Sequence, residues 1–364
     1  MTMRHKISSL LKRLCQILWQ PLIAVILGFL LGSVVIMISG ESPSHVYTQM
    51  FQKSFFSFYY LLQTLTRAVP ITICSMGIIV AWRAGYINLG VEGQMIVGGL
   101  VSTVIAIHTS APAFLVLILA IAGGMAAGAL YALFAAFIYQ KCNVSIVIST
   151  LMMNYIANYI ASYFVTFPLK DPKSGIAVQS VEIPVDVRIP RVFEGHTFNW
   201  GFFITILIVA AVYFVIGKTI FGYESKMTGL NPVFANYGGV KKNNVMMSAM
   251  AFSGALAACA GMLEIFGVKY RYIDAMFIST SYAWTGLMSG LISSLHPVGA
   301  FAASIFLSGL QVGGQAIQRT TNIPLQVSTL IQSTITLFVS VKLFTDFKHR
   351  KKQKVEAGDI INGN

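Results

Sequence analysis

The chain has 364 residues, 56% hydrophobic and only 10% charged, with mean hydropathy +0.73 and formal net charge +13. An ordinary soluble domain carries about 25% charged residues, so a water-soluble fold of this length could not cover its surface. The apolar residues come in runs of about 20, the length that crosses about 30 Å of hydrocarbon. Many basic residues flank those runs, which points to membrane lipid and not to nucleic acid.

Residues 1–17 form a basic N-terminal segment. The apolar stretch behind it is too long for a secretory signal, and Ser39-Gly40-Glu41-Ser42 lacks a clear cleavage pattern, so it reads as an uncleaved first span. Ten spans are predicted, at 18–39, 54–82, 90–109, 112–140, 144–167, 200–217, 244–268, 276–294, 297–316 and 325–345, an all-α polytopic transmembrane helical bundle occupying 18–345. Residues 168–199, with Pro168, Pro172, Pro184 and Pro190, read as an extracytoplasmic loop. With the N-terminus cytoplasmic, 16 of the 25 basic residues fall inside, and residues 346–364 become a basic cytoplasmic tail. Both termini are therefore expected in the cytoplasm.

Two spans look interrupted. The second contains Pro70 and leads through Arg83 to Gln94 into another apolar run; the seventh passes Glu264, Gly267, Lys269, Tyr270, Arg271 and Asp274 into the eighth. Polar, glycine-containing breaks at matching places in halves of opposite orientation suggest an inverted repeat with broken helices. Small residues four apart, Gly124 with Gly128, Ala257 with Gly261 and Gly286 with Gly290, predict close helix packing.

A charge at the centre of a bilayer helix costs about 2.5 to 3.5 kcal/mol on insertion scales. Glu92 and Glu264, within or at the edge of spans, must therefore be paired, protonated or near water. Glu92 could pair with Arg83; Glu264 could line a polar path or bond to neighbouring backbone. Residues 218–243 form the cytoplasmic loop, too polar to span. Asn231 followed by Pro232 predicts the start of a short helix, and Gly238-Gly239 its stop. With Phe234 and Tyr237 on it, this helix suits docking into a partner's groove, or lying on the membrane.

Gly217-Lys218-Thr219 ends a span and lacks the glycine five residues earlier that a phosphate-binding loop needs, Val212 standing there. The six histidines and four cysteines are dispersed, so no catalytic set, disulfide framework or metal site is expected.

The stretches Arg83 to Gln94, Ser149 to Ala157, Asn231-Pro232 and Ser253 to Ala257, in that order over residues 60 to 345, resemble the permeases of ATP-binding-cassette importers for simple sugars and nucleosides. Gly267 to Arg271 and Val312 to Arg319 are most similar to the nucleoside-type members. The chain departs from that pattern at Val233 and Phe234, where acidic and small residues are common, and at Ile146, where a Glu is common.

The resemblance implies a transport subunit in the bacterial cytoplasmic membrane, with no cofactor of its own. ATP and Mg would be bound by partner ATPase subunits, a second and related permease subunit would complete the path, and an extracytoplasmic substrate-binding protein would deliver the cargo. Gly229, Asn231, Pro232, Phe234, Ala235, Tyr237, Gly238 and Gly239 would form the ATPase coupling helix. Asn88, Glu92, Asn154, Glu264, Tyr270, Arg271 and Trp284 are the candidates for the substrate path, and Tyr86, Tyr155 and Trp284 could stack on a base. The competing readings are a sugar or riboflavin-like cargo, an ion-coupled secondary transporter, and an enzyme acting on lipid.

Overall fold

The computed structural model describes residues 23–319 and 326–338, apart from 328 and 336. The terminal segments 1–17 and 346–364 and about half of the tenth expected span, including 339–345, lie outside the described residues. The chain divides into two compact units, one of residues 1–56 with 309–364 and one of residues 57–308.

In the first unit α1, Ile23–Ile38, turns by 120° into α2, Pro43–Phe51, and a π-helical turn, Gln52–Phe56. Gly40 takes φ +81° at the corner, a left-handed conformation that suits glycine. The Tyr47 hydroxyl donates to the Phe29 carbonyl at 2.7 Å, and Ser54 donates to the Gly309 carbonyl at 2.6 Å.

The second unit starts with α3, Phe58–Arg83, followed by α4, Val91–His108, α5, Ala113–Cys142, and α6, Ile146–Thr166. After residues 168–199 come α7, Gly201–Lys218, α8, Ile220–Leu230, α9, Pro232–Tyr237, and α10, Lys242–Glu264, which ends in a π-helical turn, Ile265–Lys269. The short helices α11, Met276–Thr280, and α12, Tyr282–Ile292, precede α13, Pro297–Gln318.

Among the described residues six helices are long and apolar enough to cross a membrane, or up to seven if the bent α1–α2 pair is one span. They are α3, α4, α5, α7, α10 with its π turn, and α13. The chain is thus a multi-pass, mostly helical membrane protein. The expected eighth span is not one helix: Ser281 has φ +53° and divides α11 from α12. Hydroxyls explain the interruption, because Ser279 and Thr280 bond back to the Met276 carbonyl and compete with helix propagation. Residues 220–230, expected as loop, form α8, capped where the Thr219 side chain accepts from the Gly222 N–H.

Within this unit α3 and α10 are the inner helices, 89% and 78% buried over their apolar windows, whereas α5 and α7 are 22% buried and turn side chains outward. Small residues let α10 sit against its neighbours. A Cβ on Gly77 of α3 would come within 2.8 Å of the Ser253 carbonyl, and one on Gly261 of α10 within 2.5 Å of the Met95 carbonyl. A Cβ on Gly254 would strike the Gly128 carbonyl of α5. Dispersion between closely approaching backbones thus does work that the hydrophobic effect cannot do in lipid.

Gly254→Val should therefore force α10 off α5, at a cost of about 1 to 3 kcal/mol or more, whereas Ala126→Val on the exposed side of α5 should be neutral. Thermal unfolding of the two purified variants in detergent checks this, and equal midpoints would contradict it.

Candidate functional site

The polar residues of the second unit collect in three places. The first is the break between α3 and α4, residues 84–90, where the helical ladder is interrupted. Asn88 is buried and uses all of its amide. Its Oδ1 accepts from the Gly90 N–H at 2.9 Å and from Gln94 Nε2 at 3.1 Å, while its Nδ2 donates to Gln94 Oε1 and to Ser253 Oγ, each at 2.9 Å. Asn154, one-sided on α6, answers from across: its Oδ1 accepts from the Gly93 N–H and its Nδ2 donates to the Leu89 carbonyl, both at 2.8 Å. The Thr150 hydroxyl accepts from the Leu89 N–H at 3.3 Å.

Glu92 lies in the first turn of α4 and is 7% exposed. It does not meet Arg83, as the sequence suggested: the Arg83 Nε donates to the Leu295 carbonyl at 3.2 Å, and Glu92 shares a recess with the Trp284 indole. The helical direction explains this, since Arg83 ends α3 while Glu92 begins α4 beyond the break. Asn88, Glu92 and Trp284, with Ile78 and Leu287, line a recess of about 10 Å³, room for about one water.

The second place is the far end of α10. Glu264, 3% exposed, accepts from the Tyr282 hydroxyl at 3.1 Å, and the Arg67 guanidinium lies over the Tyr282 ring, 5.5 Å from its centre.

The third is formed by residues 168–199 against the chain that follows α10. Backbone pairing is strand-like: the Ser180 N–H donates to the Tyr272 carbonyl and the Ile183 N–H to the Tyr270 carbonyl, each at 2.8 Å, and the Asp274 N–H donates to Val178 at 3.0 Å. Arg188 lies over the Tyr270 ring at 4.6 Å, and Arg191 donates to the Tyr270 hydroxyl at 3.1 Å. Arg271 and Arg188 both bond to Glu182, the latter at 2.7 Å. These hydrogen bonds, Arg188's first and then Arg271's, hold the Glu182 carboxyl below the usual carboxylate range.

Of the path candidates, then, Asn88, Glu92, Asn154 and Trp284 come together at the break, Glu264 stands apart with Tyr282, and Tyr270 and Arg271 belong to the loop cluster. Arg67, Tyr282 and Glu182 were not singled out from sequence, because their partners are distant in the chain. Gln94 and Ser253 lay inside noticed motifs, yet only folding brings them to Asn88.

At the other end of α10, Asn231 caps α9 with its side chain, Oδ1 accepting from the Val233 and Phe234 N–H groups at 3.2 Å, and Pro232 takes the first helical position. Gly238 and Gly239, the latter at φ +83°, end it. Ala235 is buried, while Phe234 and Tyr237 are 59% and 88% exposed. A Cβ on Gly85, in the break, would lie 3.2 Å from Gly229 Cα, so the α8–α9 junction abuts the α3–α4 break. Helices α7 and α10, about 27 and 35 Å long at about 1.5 Å per residue, separate α9 from the loop cluster.

Residues 60–340 match the family model described as branched-chain amino acid transport system / permease component. The chain is 28% identical over 348 residues to the guanosine ABC transporter permease protein NupP of Bacillus subtilis, covering 95% of this chain and 99% of that protein. It is 27% identical to the glucose ABC transporter permease protein TsgB13 of Haloferax volcanii, over 89% and 87% of the two chains. To the nucleoside ABC transporter permease protein NupB of Lactococcus lactis it is 25% identical, over 93% and 95%.

Asn154→Ala strands the Gly93 N–H and the Leu89 carbonyl, and should lower stability by about 1 to 3 kcal/mol; Asn244→Ala, on an exposed turn, should not, and unfolding in detergent compares them. For Glu182 the sign follows from its lowered pKa. Its ion pairs contribute fully above the unfolded carboxyl value of about 4.3 and are lost as pH falls through the lower folded value. Exchange protection of the Ser180 and Ile183 amides, corrected for intrinsic rates, should hold from neutral pH to about 4.5 and fall only below that. A loss beginning near about pH 6 would contradict the pairing.

Proposed function

Because the chain belongs to the branched-chain amino acid transport system / permease component family, we propose that it is the membrane-spanning permease subunit of an ATP-driven importer that carries nucleosides. The contact of Gly229 with the α3–α4 break carries the mechanistic part of this reading, for it places α9 one step from the irregular backbone of the bundle. Partner ATPase subunits, holding ATP and Mg, close on ATP; α9 follows them; and the break passes the displacement to α3, α4, α6 and α10. The work of this subunit is to offer two arrangements of one bundle that its partners bias.

In the arrangement we propose, ten crossings place both termini and residues 218–243 in the bacterial cytoplasm and residues 168–199 outside, where a substrate-binding protein delivers cargo. A second, related permease completes the path. The guanosine and nucleoside permeases among its relatives support the cargo class. The glucose permease supports a sugar as the second reading.

The test is ATP-driven uptake of guanosine into proteoliposomes holding the assembled complex, with glucose as the competing cargo. The complex should accumulate guanosine, the chain without its ATPase should not, and uptake by the chain alone would establish a secondary transporter instead. Phe234→Asp, on an exposed face, should leave insertion intact and cut uptake by about tenfold or more, since a charge must then be desolvated in the ATPase groove. Unchanged uptake would remove α9 from the coupling role.

A further inference from the structure

The outward surface of α6 does not match hydrocarbon. The helix has 21 residues and no charged side chain. Its inward side holds Thr150, Asn154, Ala157 and Ala161. At about 100° per residue, the opposite surface divides lengthwise. One half carries Ile156, Ile160, Phe164 and Phe167, all exposed. The other half carries two rows at four-residue spacing, Tyr155, Tyr159 and Tyr163 beside Asn158, Ser162 and Thr166.

The three tyrosines are 58%, 73% and 60% exposed, and Asn158, Ser162 and Thr166 are partly so. Among the described residues none of these six side chains has a hydrogen-bond partner. The outward faces of α5 and α7 differ. They show Phe114, Leu130 and Phe134, and Phe203, Leu207 and Phe214. Hydrocarbon offers hydroxyls and amides nothing to bond to, so a continuous polar row in a span belongs beside water or protein.

We infer that this half of α6 is the wet wall of the substrate path and binds nucleosides, the tyrosine rings stacking on the base while Asn158, Ser162 and Thr166 bond to the ribose hydroxyls. The nucleoside clause rests on the function proposed above; the wet wall does not. Stacking is tolerant of which base is present, and hydroxyl and amide groups match a neutral, polyhydroxylated cargo. From Tyr163, nearest the loop 168–199, to Tyr155 the ladder covers about 12 Å, so rings follow one another along the direction of transport.

The experiment uses the assembled complex in proteoliposomes, with the four native cysteines of this chain replaced by alanine. Single cysteines are introduced by Tyr155→Cys, Tyr159→Cys and Tyr163→Cys, and on the other half by Ile156→Cys, Ile160→Cys and Phe164→Cys. A charged methanethiosulfonate should modify the first set at least about tenfold faster than the second, since the reagent needs water, and guanosine should slow that modification. Equal rates on the two halves, or no modification of the tyrosine positions, would overturn the wet wall even if guanosine uptake is intact. Slowing by glucose but not guanosine would keep the wall and overturn the nucleoside clause together with the proposed cargo. In uptake assays Tyr159→Ala should raise the guanosine KM by about tenfold and Tyr159→Phe, which keeps the ring, by less; no change in Tyr159→Ala and Tyr163→Ala would overturn the stacking role.

Discussion

A backbone group that is buried without water has to be satisfied from within the protein, and the broken segment between α3 and α4 is largely buried. Two asparagines meet that demand. Asn88 closes the segment on itself through Gly90 and Gln94, and Asn154 reaches from α6 to the Leu89 carbonyl and the Gly93 N–H. Through Ser253 the same knot holds α10. A break stabilised this way is no hinge swinging freely. Its geometry is set jointly by three helices, and a shift of the break has to be answered by α6 and α10.

α10 extends that coupling across the protein. Its first residues follow α9, its glycines seat it against α3, α4 and α5, and its π-helical end leads to Tyr270 and the segment that pairs with residues 178–183. Side chains packed as densely as in a crystal transmit displacement instead of absorbing it, so such a helix favours a choice between discrete packings. The contact of Gly85 with Gly229 lies at one end of this chain of contacts and the pairing of Glu182 with Arg188 and Arg271 at the other.

Features set by local chemistry were legible in the sequence. Asn231-Pro232 and Gly238-Gly239 announce α9 because capping and stopping are decided within a turn, and the long apolar runs announce α3, α4, α5, α7 and α13 by length alone. What was not legible depends on residues far apart. Arg83 was expected beside Glu92, nine residues away, yet finds the Leu295 carbonyl, and the eighth expected span is divided into two short helices where Ser281 adopts a left-handed conformation that hydropathy does not register. The tyrosine spacing on α6 can be read in the sequence; that Tyr155, Tyr159 and Tyr163 stand exposed on its outer side cannot.

The placement of charge separates the competing mechanisms. Glu92 and Glu264 are both turned inward, Glu92 beside the Trp284 indole and Glu264 bonded by the Tyr282 hydroxyl, and each is nearly inaccessible. A carrier driven by protons or sodium needs such groups open to the coupling ion, whereas here the outward polar stripe of α6 is uncharged throughout. A neutral path suits a neutral cargo, because no countercharge has to be desolvated or left behind at each passage. It also explains why the energy must enter elsewhere. In the mechanism we propose, no carboxylate or histidine on the wall harnesses a gradient, and the force enters at α9, where Phe234 and Tyr237 stand out from a helix fixed at both ends by its own caps.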